Sequence, residues 1–383
     1  MTGIIVIGAG IAGSAAAWRL AQAGHEVTVL ERSTPANEHG SSHGSARIFR
    51  YAYRESFYTS LVLDASRGWD ELASVSGQQL ITPSGALDFG STREPELLAK
   101  ILEEVGVEHE LLSRQAAESR WDLAFDTSVL WHPGAGVIDA ENSVHAMLTQ
   151  AAAHGARVLH NWSVDRVERV GSGYRAVRAD GAGVEAEQIV VAAGGWLPDL
   201  LDKLALPDAF LAGFPALEVR QEQAYHFPYR DEQAAAAARV AGEAAWPTFI
   251  YKSPDIQTYG LPGGRDAAWR GQKVAEYNGG KRLPSAAAHD DVLDDANRRR
   301  VVSYVERFLP GLVPEPYAET TCLFTNAPNE DFVIDRIDGI TVMSPCSGHG
   351  AKFAPLIGEY ALALVDGMSS VPHAFRPSLA VTR

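Results

Sequence analysis

Three glycines close together offer the first chemistry in the chain. Gly8-Ala9-Gly10-Ile11-Ala12-Gly13 follows directly on the apolar run Gly3-Ile4-Ile5-Val6-Ile7. Gly8 permits a tight turn out of a strand, Gly10 lets a pyrophosphate approach the backbone, and Gly13 lets the next helix pack close to the sheet. The free N–H groups and positive dipole end of that helix suit an anion. A second apolar run, Val27-Thr28-Val29-Leu30, ends at Glu31. Glu31 is placed to accept hydrogen bonds from ribose hydroxyls, and its charge disfavours a 2′-phosphate. Strand, turn, helix, strand and acid in this order spell a dinucleotide-binding βαβ unit. The fingerprint alone leaves FAD and NAD both open. No Ser/His/Asp arrangement points to acyl transfer, and no cluster has metal-ligand spacing.

The elements that must hold this unit exceed one core. A chain of 383 residues calls for two domains or interleaved lobes. Its 33 Lys and Arg against 48 Asp and Glu leave a net charge of −15, which argues against a nucleic-acid partner. The chain opens on the strand itself, without a basic leader, and no apolar run is long enough to span a bilayer. Two cysteines, Cys322 and Cys346, are too few for a disulfide framework, so a reducing cytoplasmic setting is expected.

Along the chain, Asn37 to Arg50 reads as a polar, glycine-rich loop. Helical spacing runs from Ser56 to Leu72, and Gln79 to Phe89 reads as a strand pair turning at Pro83-Ser84-Gly85. Asp139 is placed to cap a helix through Ala153. Gln188 to Val191 reads as a buried strand that returns beside the first, ending in Ala192-Ala193-Gly194-Gly195-Trp196. From about 215 to 320, strand-like pieces between Pro/Gly turns predict an antiparallel sheet, then a helix from Asp291 to Leu309. The tail (Phe332–Ile334, Ile340–Met343, a helix from about Ala354 to Val365) returns to the first lobe. The expected fold is α/β, with an α+β second lobe: a discontinuous Rossmann-like nucleotide-binding domain from 1–80, 140–215 and 320–383, and an antiparallel-sheet substrate domain from 81–139 and 216–319. The ligand pocket is expected where they meet.

Beyond the fingerprint, four further segments stand out: Gly40-Ser41-Ser42-His43-Gly44-Ser45-Ala46-Arg47-Ile48-Phe49-Arg50 with Tyr51-Ala52-Tyr53; Tyr259-Gly260-Leu261-Pro262 with Gln272-Lys273-Val274; Thr321-Cys322-Leu323-Phe324; and Ser347-Gly348-His349-Gly350-Ala351-Lys352-Phe353. Together with the fingerprint they resemble the monomeric sarcosine oxidase and N-methyltryptophan oxidase family, within the D-amino-acid-oxidase superfamily of FAD-dependent amine oxidases. The resemblance covers nearly the whole chain. It implies FAD attached covalently through its 8α-methyl group to a cysteine matched here by Cys322, a good thiolate nucleophile. Read alone, Cys322 would equally be a small buried hydrophobe. Cys346 matches no family thiol and is assigned to packing.

The resemblance also implies that Arg47 sits beside the flavin ring. Arg50 and Lys352 then bind a substrate carboxylate, by paired hydrogen bonds and by charge. Lys273 matches the lysine that activates dioxygen, with Arg270 as its rival in the alignment. Tyr259 joins Lys273 and Arg47 as a catalytic candidate, and Tyr53, Tyr277 and Phe324 join the substrate wall. Cofactor contacts are implied at Gly8, Gly10, Ile11, Ala12, Gly13, Glu31 and Arg32 in the fingerprint, and at Ser42, His43, Ala46 and Arg47 in the following loop. Further contacts fall at Val164, Ala193, Gly194 and Trp196, and at Cys322, Gly348, His349, Gly350 and Lys352. His43 and His349 are read as shaping the backbone of glycine loops. The chain departs from the family at Ala46 (threonine), Tyr277 (histidine) and Phe324 (tyrosine), all facing flavin or substrate. These departures put sarcosine itself in doubt and point equally to a bulkier or more apolar amine, such as an N-methyl or cyclic secondary amino acid.

The activity implied is hydride transfer from the carbon next to nitrogen to flavin, then reoxidation by dioxygen to give hydrogen peroxide and an imine that hydrolyses. The partners are then a small amine or amino acid and dioxygen, with no nucleic acid, membrane or metal, and a monomer is expected. Alternatives are a fructosyl-amino-acid (deglycating) oxidase, a flavin amine dehydrogenase with a protein electron acceptor, and a nucleotide carrier without turnover.

Overall fold

The computed structural model of the chain describes residues 3–241, 244–368 and 370–380. Strand β1 (Ile4–Ile7), helix α1 (Ile11–Gln22) and strand β2 (Val27–Leu30) form the opening βαβ unit. Every residue of both strands is buried, which is why they read as unbroken apolar runs. They lie in a six-stranded sheet in the order Val333–Ile337, Ile340–Ser344, Gln188–Val191, β1, β2, Arg157–Leu159. All neighbours are parallel except the terminal hairpin. Strand alternation divides the packing. Ile4 and Val6 face α1 and the helices Ala140–Ala153 and Ala354–Val365. Ile5 and Ile7 face a three-stranded meander of Arg166–Val170, Gly173–Val177 and Gly183–Ala186.

The second lobe is built on a nine-stranded sheet. Its order is Lys281–Leu283, Glu218–Pro228, Gly271–Glu276, Gln257–Pro262, Thr248–Lys252, Ala86–Phe89, Val129–His132, Glu110–Leu112, with Ala318–Asn326 paired to Glu218–Pro228. The neighbours are antiparallel, except that Thr248–Lys252 runs parallel to Ala86–Phe89. One face is apolar: Tyr225, Phe227, Phe249, Tyr251 and Val274 pack against Val301, Tyr304, Val305 and Phe308 of the helix Asp295–Phe308. The intervening residues must then point the other way, toward the first lobe. Register pairs His226 with Lys273, Ile250 with Tyr259 and Glu222 with Cys322 on that second face.

The α/β class with a Rossmann-like lobe and an antiparallel-sheet lobe is as the sequence predicts. Asp139 caps the helix Ala140–Ala153, accepting from the Asn142 N–H at 3.0 Å. One local expectation needs correction. Ile81–Pro83 and Ala86–Phe89 do not pair with each other; the first joins a small sheet with Gly136–Ile138 and Arg47–Phe49, the second joins the large sheet. A boundary at 320 falls inside the strand Ala318–Asn326, which pairs along its length with Glu218–Pro228. Among the described residues no helix is long and apolar enough to cross a membrane.

Candidate active site

One cleft, of about 360 Å³, gathers side chains from both lobes. The glycine turn forms one wall. Gly8 has φ near +100°, and a Cβ at Gly13 would lie 2.0 Å from the Gly8 carbonyl oxygen. Glycine at these two sites therefore fixes the turn and the approach of α1. A Cβ at Gly10 would meet only Ser42 Oγ, at 3.2 Å, so its backbone lies open to the cleft. The Glu31 carboxylate is buried on the cleft wall, accepting from the Ala9 N–H at 2.8 Å and the Ser33 N–H at 2.9 Å. Ser42 Oγ accepts from the Ile11 N–H at 2.9 Å. The Arg32 guanidinium lies 4.4 Å from the Trp196 ring centroid, and both line the cleft. An open glycine backbone, a helix N-terminus, a fixed carboxylate and a flat stacked pair are what an adenine dinucleotide requires. The residues present fit FAD.

The cleft wall continues through Ala12, Arg47, Val164, Ala193, Gly194, Cys322, Phe324, Gly348, His349 and Gly350. Four expected cofactor residues do not reach it. Gly13 packs on Gly8, Ala46 packs with Val137 and Leu261, and His43 and Lys352 lie behind the wall. Trp162, Asp199, Lys203 and Cys346 do line the cleft and were not anticipated from the sequence. Cys346 was assigned to packing, although its position directly before the Ser-Gly-His-Gly loop was a usable signal. Burial pushes its thiol up to about 11.

Beside Cys322 lies a buried cationic group. Arg47 is pinned by donating to the carbonyls of Ala46, Ser41 and His43, each at 2.9 Å. Lys273 is 6% exposed, and burial together with Arg47 brings its ammonium down to about 8. Burial raises the Cys322 thiol, while Lys273 and Arg47 pull it back down. Of the two cysteines, Cys322 is the one with cations at hand to support a thiolate. Burial, first, and then Lys273 keep His226 neutral, down to about 4. Burial, then Arg47 and Lys273, bring His43 to about 3. Arg270 is exposed and stacks over Tyr317 at 4.9 Å, so of the two rivals Lys273 is the one inside.

A second polar group joins the Ser-Gly-His-Gly loop to the segment after Arg50. Lys352 Nζ donates to Tyr53 Oη at 3.1 Å and to the His349 carbonyl at 2.7 Å. His349 Nε2 lies 2.9 Å from the Glu330 carbonyl, which only accepts, so Nε2 carries the proton. Its Nδ1 then accepts from Tyr53 Oη at 3.0 Å. Burial, then Lys352, bring the His349 imidazole down to about 3, in keeping with this single tautomer. The Trp69 indole N–H holds the Lys352 carbonyl at 2.7 Å. Arg50 stacks over the Tyr53 ring at 4.6 Å. Among the described residues neither Arg50 nor Lys352 has an ion-pair partner. Tyr277 lies with its ring centroid 6.0 Å from that of Phe324 and packs behind the cleft wall.

The whole fold has known counterparts. A family model described as FAD dependent oxidoreductase (DAO) matches residues 3–364. The chain belongs to the DAO family of FAD-dependent oxidoreductases. Within the DAO family it is 30% identical over 369 residues to the N-methyl-L-tryptophan oxidase of Yersinia pestis (strain Pestoides F), covering 94% of this chain and 93% of that one. Among solved structures it is similar in fold to NikD, an unusual amino acid oxidase essential for nikkomycin biosynthesis. That match has a TM-score of 0.83 and 23% identity, over 98% of this chain and 97% of the other. It also matches an L-proline dehydrogenase from P. horikoshii, with a TM-score of 0.81 and 19% identity over 100% and 98%. A DAO-family chain with this cleft is an FAD-dependent oxidoreductase.

Proposed function

We propose that the chain oxidises a secondary amino acid, N-methyl or cyclic, with FAD held covalently by Cys322 Sγ and with dioxygen as acceptor. The observation that carries this is a pair of cationic groups set at the cleft wall, one reaching it through Arg47 and Cys322 and the other through His349. Arg50 and Lys352 stand unpaired beside an aromatic wall, and Lys273 and Arg47 stand beside Cys322. FAD, when bound, would supply the redox chemistry, namely acceptance of a hydride from the carbon next to nitrogen and return of the electron pair to dioxygen as hydrogen peroxide.

The protein's part is binding, orientation and charge. Arg50 and Lys352 hold the substrate carboxylate. Lys352 spends two N–H bonds on Tyr53 and the His349 carbonyl, leaving a third for that carboxylate. Tyr53, Tyr277 and Phe324 shape the space around the amine, and Tyr259 faces the same side of the sheet as Lys273. Lys273 stabilises negative charge as it develops on dioxygen. The substrate binds as the neutral amine, and the released imine hydrolyses in water. Phe324 in place of tyrosine and Tyr277 in place of histidine change the polarity of the wall from the sarcosine-oxidising pattern, which supports a bulkier or more apolar amine.

Two measurements test this. Denatured protein should keep its yellow colour on the peptide containing Cys322, and Cys322→Ser should release it. A panel of N-methyl, cyclic and fructosyl amino acids, read by peroxide release, should respond to the first two classes. Peroxide from fructosyl amino acids alone would replace the proposed substrate class, and flavin bleaching without peroxide would replace the oxidase with a dehydrogenase.

A further inference from the structure

The polar group behind the Ser-Gly-His-Gly loop and the Tyr277 ring beside it hold more positive charge than one carboxylate needs. Lys252 ends the strand Thr248–Lys252. Phe249 and Tyr251 point into the apolar core, so Lys252 lies on the opposite face, which Ile250 shares with its register partner Tyr259. Its ammonium sits 5.4 Å from the centroid of the Tyr277 ring, the ring that packs on Phe324. The side chain is half-buried, and among the described residues it makes neither an ion pair nor a side-chain hydrogen bond. A half-buried ammonium without an ion-pair partner is a ready site for an anion from outside the chain.

The charges facing Lys252 can be counted. Arg93 is one, but it is paired with the buried Asp88 at 2.6 Å, and Asp88 also takes His132 at 3.1 Å. Arg50 is a second, unpaired cation. Glu330 is the remaining acid; its carboxylate lies by Asn278 at 3.5 Å and by Tyr277, and its carbonyl holds His349. Burial, then Arg93 and Arg50, outweigh Glu330 and Asp88 and leave Lys252 at about 8. Arg50 and Lys352 suffice for one carboxylate, and Lys252 is left over beside Tyr277.

We propose that Lys252 is a third anchor for the substrate, taking a second anionic group on the amino-acid side chain, so that the enzyme prefers dicarboxylic secondary amino acids to their neutral isosteres. This rests on the amino-acid oxidase reading above and narrows its substrate class. It also explains an aromatic wall with a cation set behind it: the Tyr277 ring covers the apolar part of the side chain and the ammonium meets its end.

The test uses the holoenzyme and matched pairs: N-methyl-L-glutamate against N-methyl-L-glutamine, and N-methyl-L-aspartate against N-methyl-L-asparagine. Flavin bleaching under anaerobic conditions gives affinity and reduction rate, and peroxide release gives kcat/KM. The acid should win by about tenfold or more in at least one pair, mostly through affinity. Lys252→Met should bring that ratio close to one, and Lys252→Arg should restore most of it, both variants keeping the wild-type flavin spectrum as proof of folding. A wild-type enzyme indifferent to the second carboxylate, or a Lys252→Met variant that keeps the preference, overturns the inference while leaving the oxidase reading standing. Bleaching by neither member of any pair, nor by any other secondary amino acid, overturns both.

Discussion

Lys273 shows how far one side chain's chemistry depends on its surroundings. Its strand partner is His226, Arg47 lies close by, and burial brings its ammonium down to about 8. In the role proposed for it the charged form is the one that helps oxygen, so reoxidation of reduced flavin should slow as pH rises through about 8, while reduction by substrate follows other groups. Lys273→Met should slow reoxidation roughly a hundredfold or more, remove that pH dependence, and affect reduction far less. Stopped-flow traces of the two half-reactions check this, and equal slowing of both would count against the assignment. In sequence, Lys273 and Arg270 were rivals because loop length sets the alignment and neither residue type decides it. The fold separates them by register: Lys273 pairs with Leu261 inside the sheet, while Arg270 sits on an exposed loop. Lys252 was not legible at all, since what surrounds it comes from segments near 50, 90, 277 and 330, and its own neighbours carry no motif.

The decisive element is a strand that works on both faces. In Glu218–Pro228, Tyr225 and Phe227 fill the core while Glu222 and His226 face the chemistry. Phe227→Ala should therefore cost about 3–5 kcal/mol in chemical denaturation, yet change the rate of flavin reduction little in the protein that remains folded. A reduction rate lost in proportion to stability would contradict this division. Local pattern gave many elements, the strand Gln188–Val191 and the helix Ala354–Val365 among them, because apolar runs are local signals. It failed at Pro83-Ser84-Gly85, where a hairpin signal joins strands of two different sheets. The Trp131 ring occupies the space where a Cβ of Gly85 would sit, so that glycine answers a long-range contact that no short window contains.

At the scale of the molecule, the two lobes share their parts. Ala318–Asn326 belongs by pairing to the large sheet, yet Cys322 and Phe324 on it wall the nucleotide cleft, and the chain then runs directly into the six-stranded sheet. The small sheet of Arg47–Phe49, Gly136–Ile138 and Ile81–Pro83 makes a second tie. Tryptophan fluorescence and flavin fluorescence should therefore report one thermal transition at one temperature. Two separate transitions would show that the lobes unfold independently. The interleaving was visible in outline, because the opening strand had to be joined by later ones, but which lobe owned residue 320 was not.

The alternation of the nine-stranded sheet has a bearing on how such enzymes diversify. The large aromatic core lies on one side, so residues on the other that choose a guest can be exchanged with less penalty to the scaffold. Phe324 lies on that other side, on the cleft wall with Cys322. New appetites can arise by repainting a wall whose masonry stands on its other side.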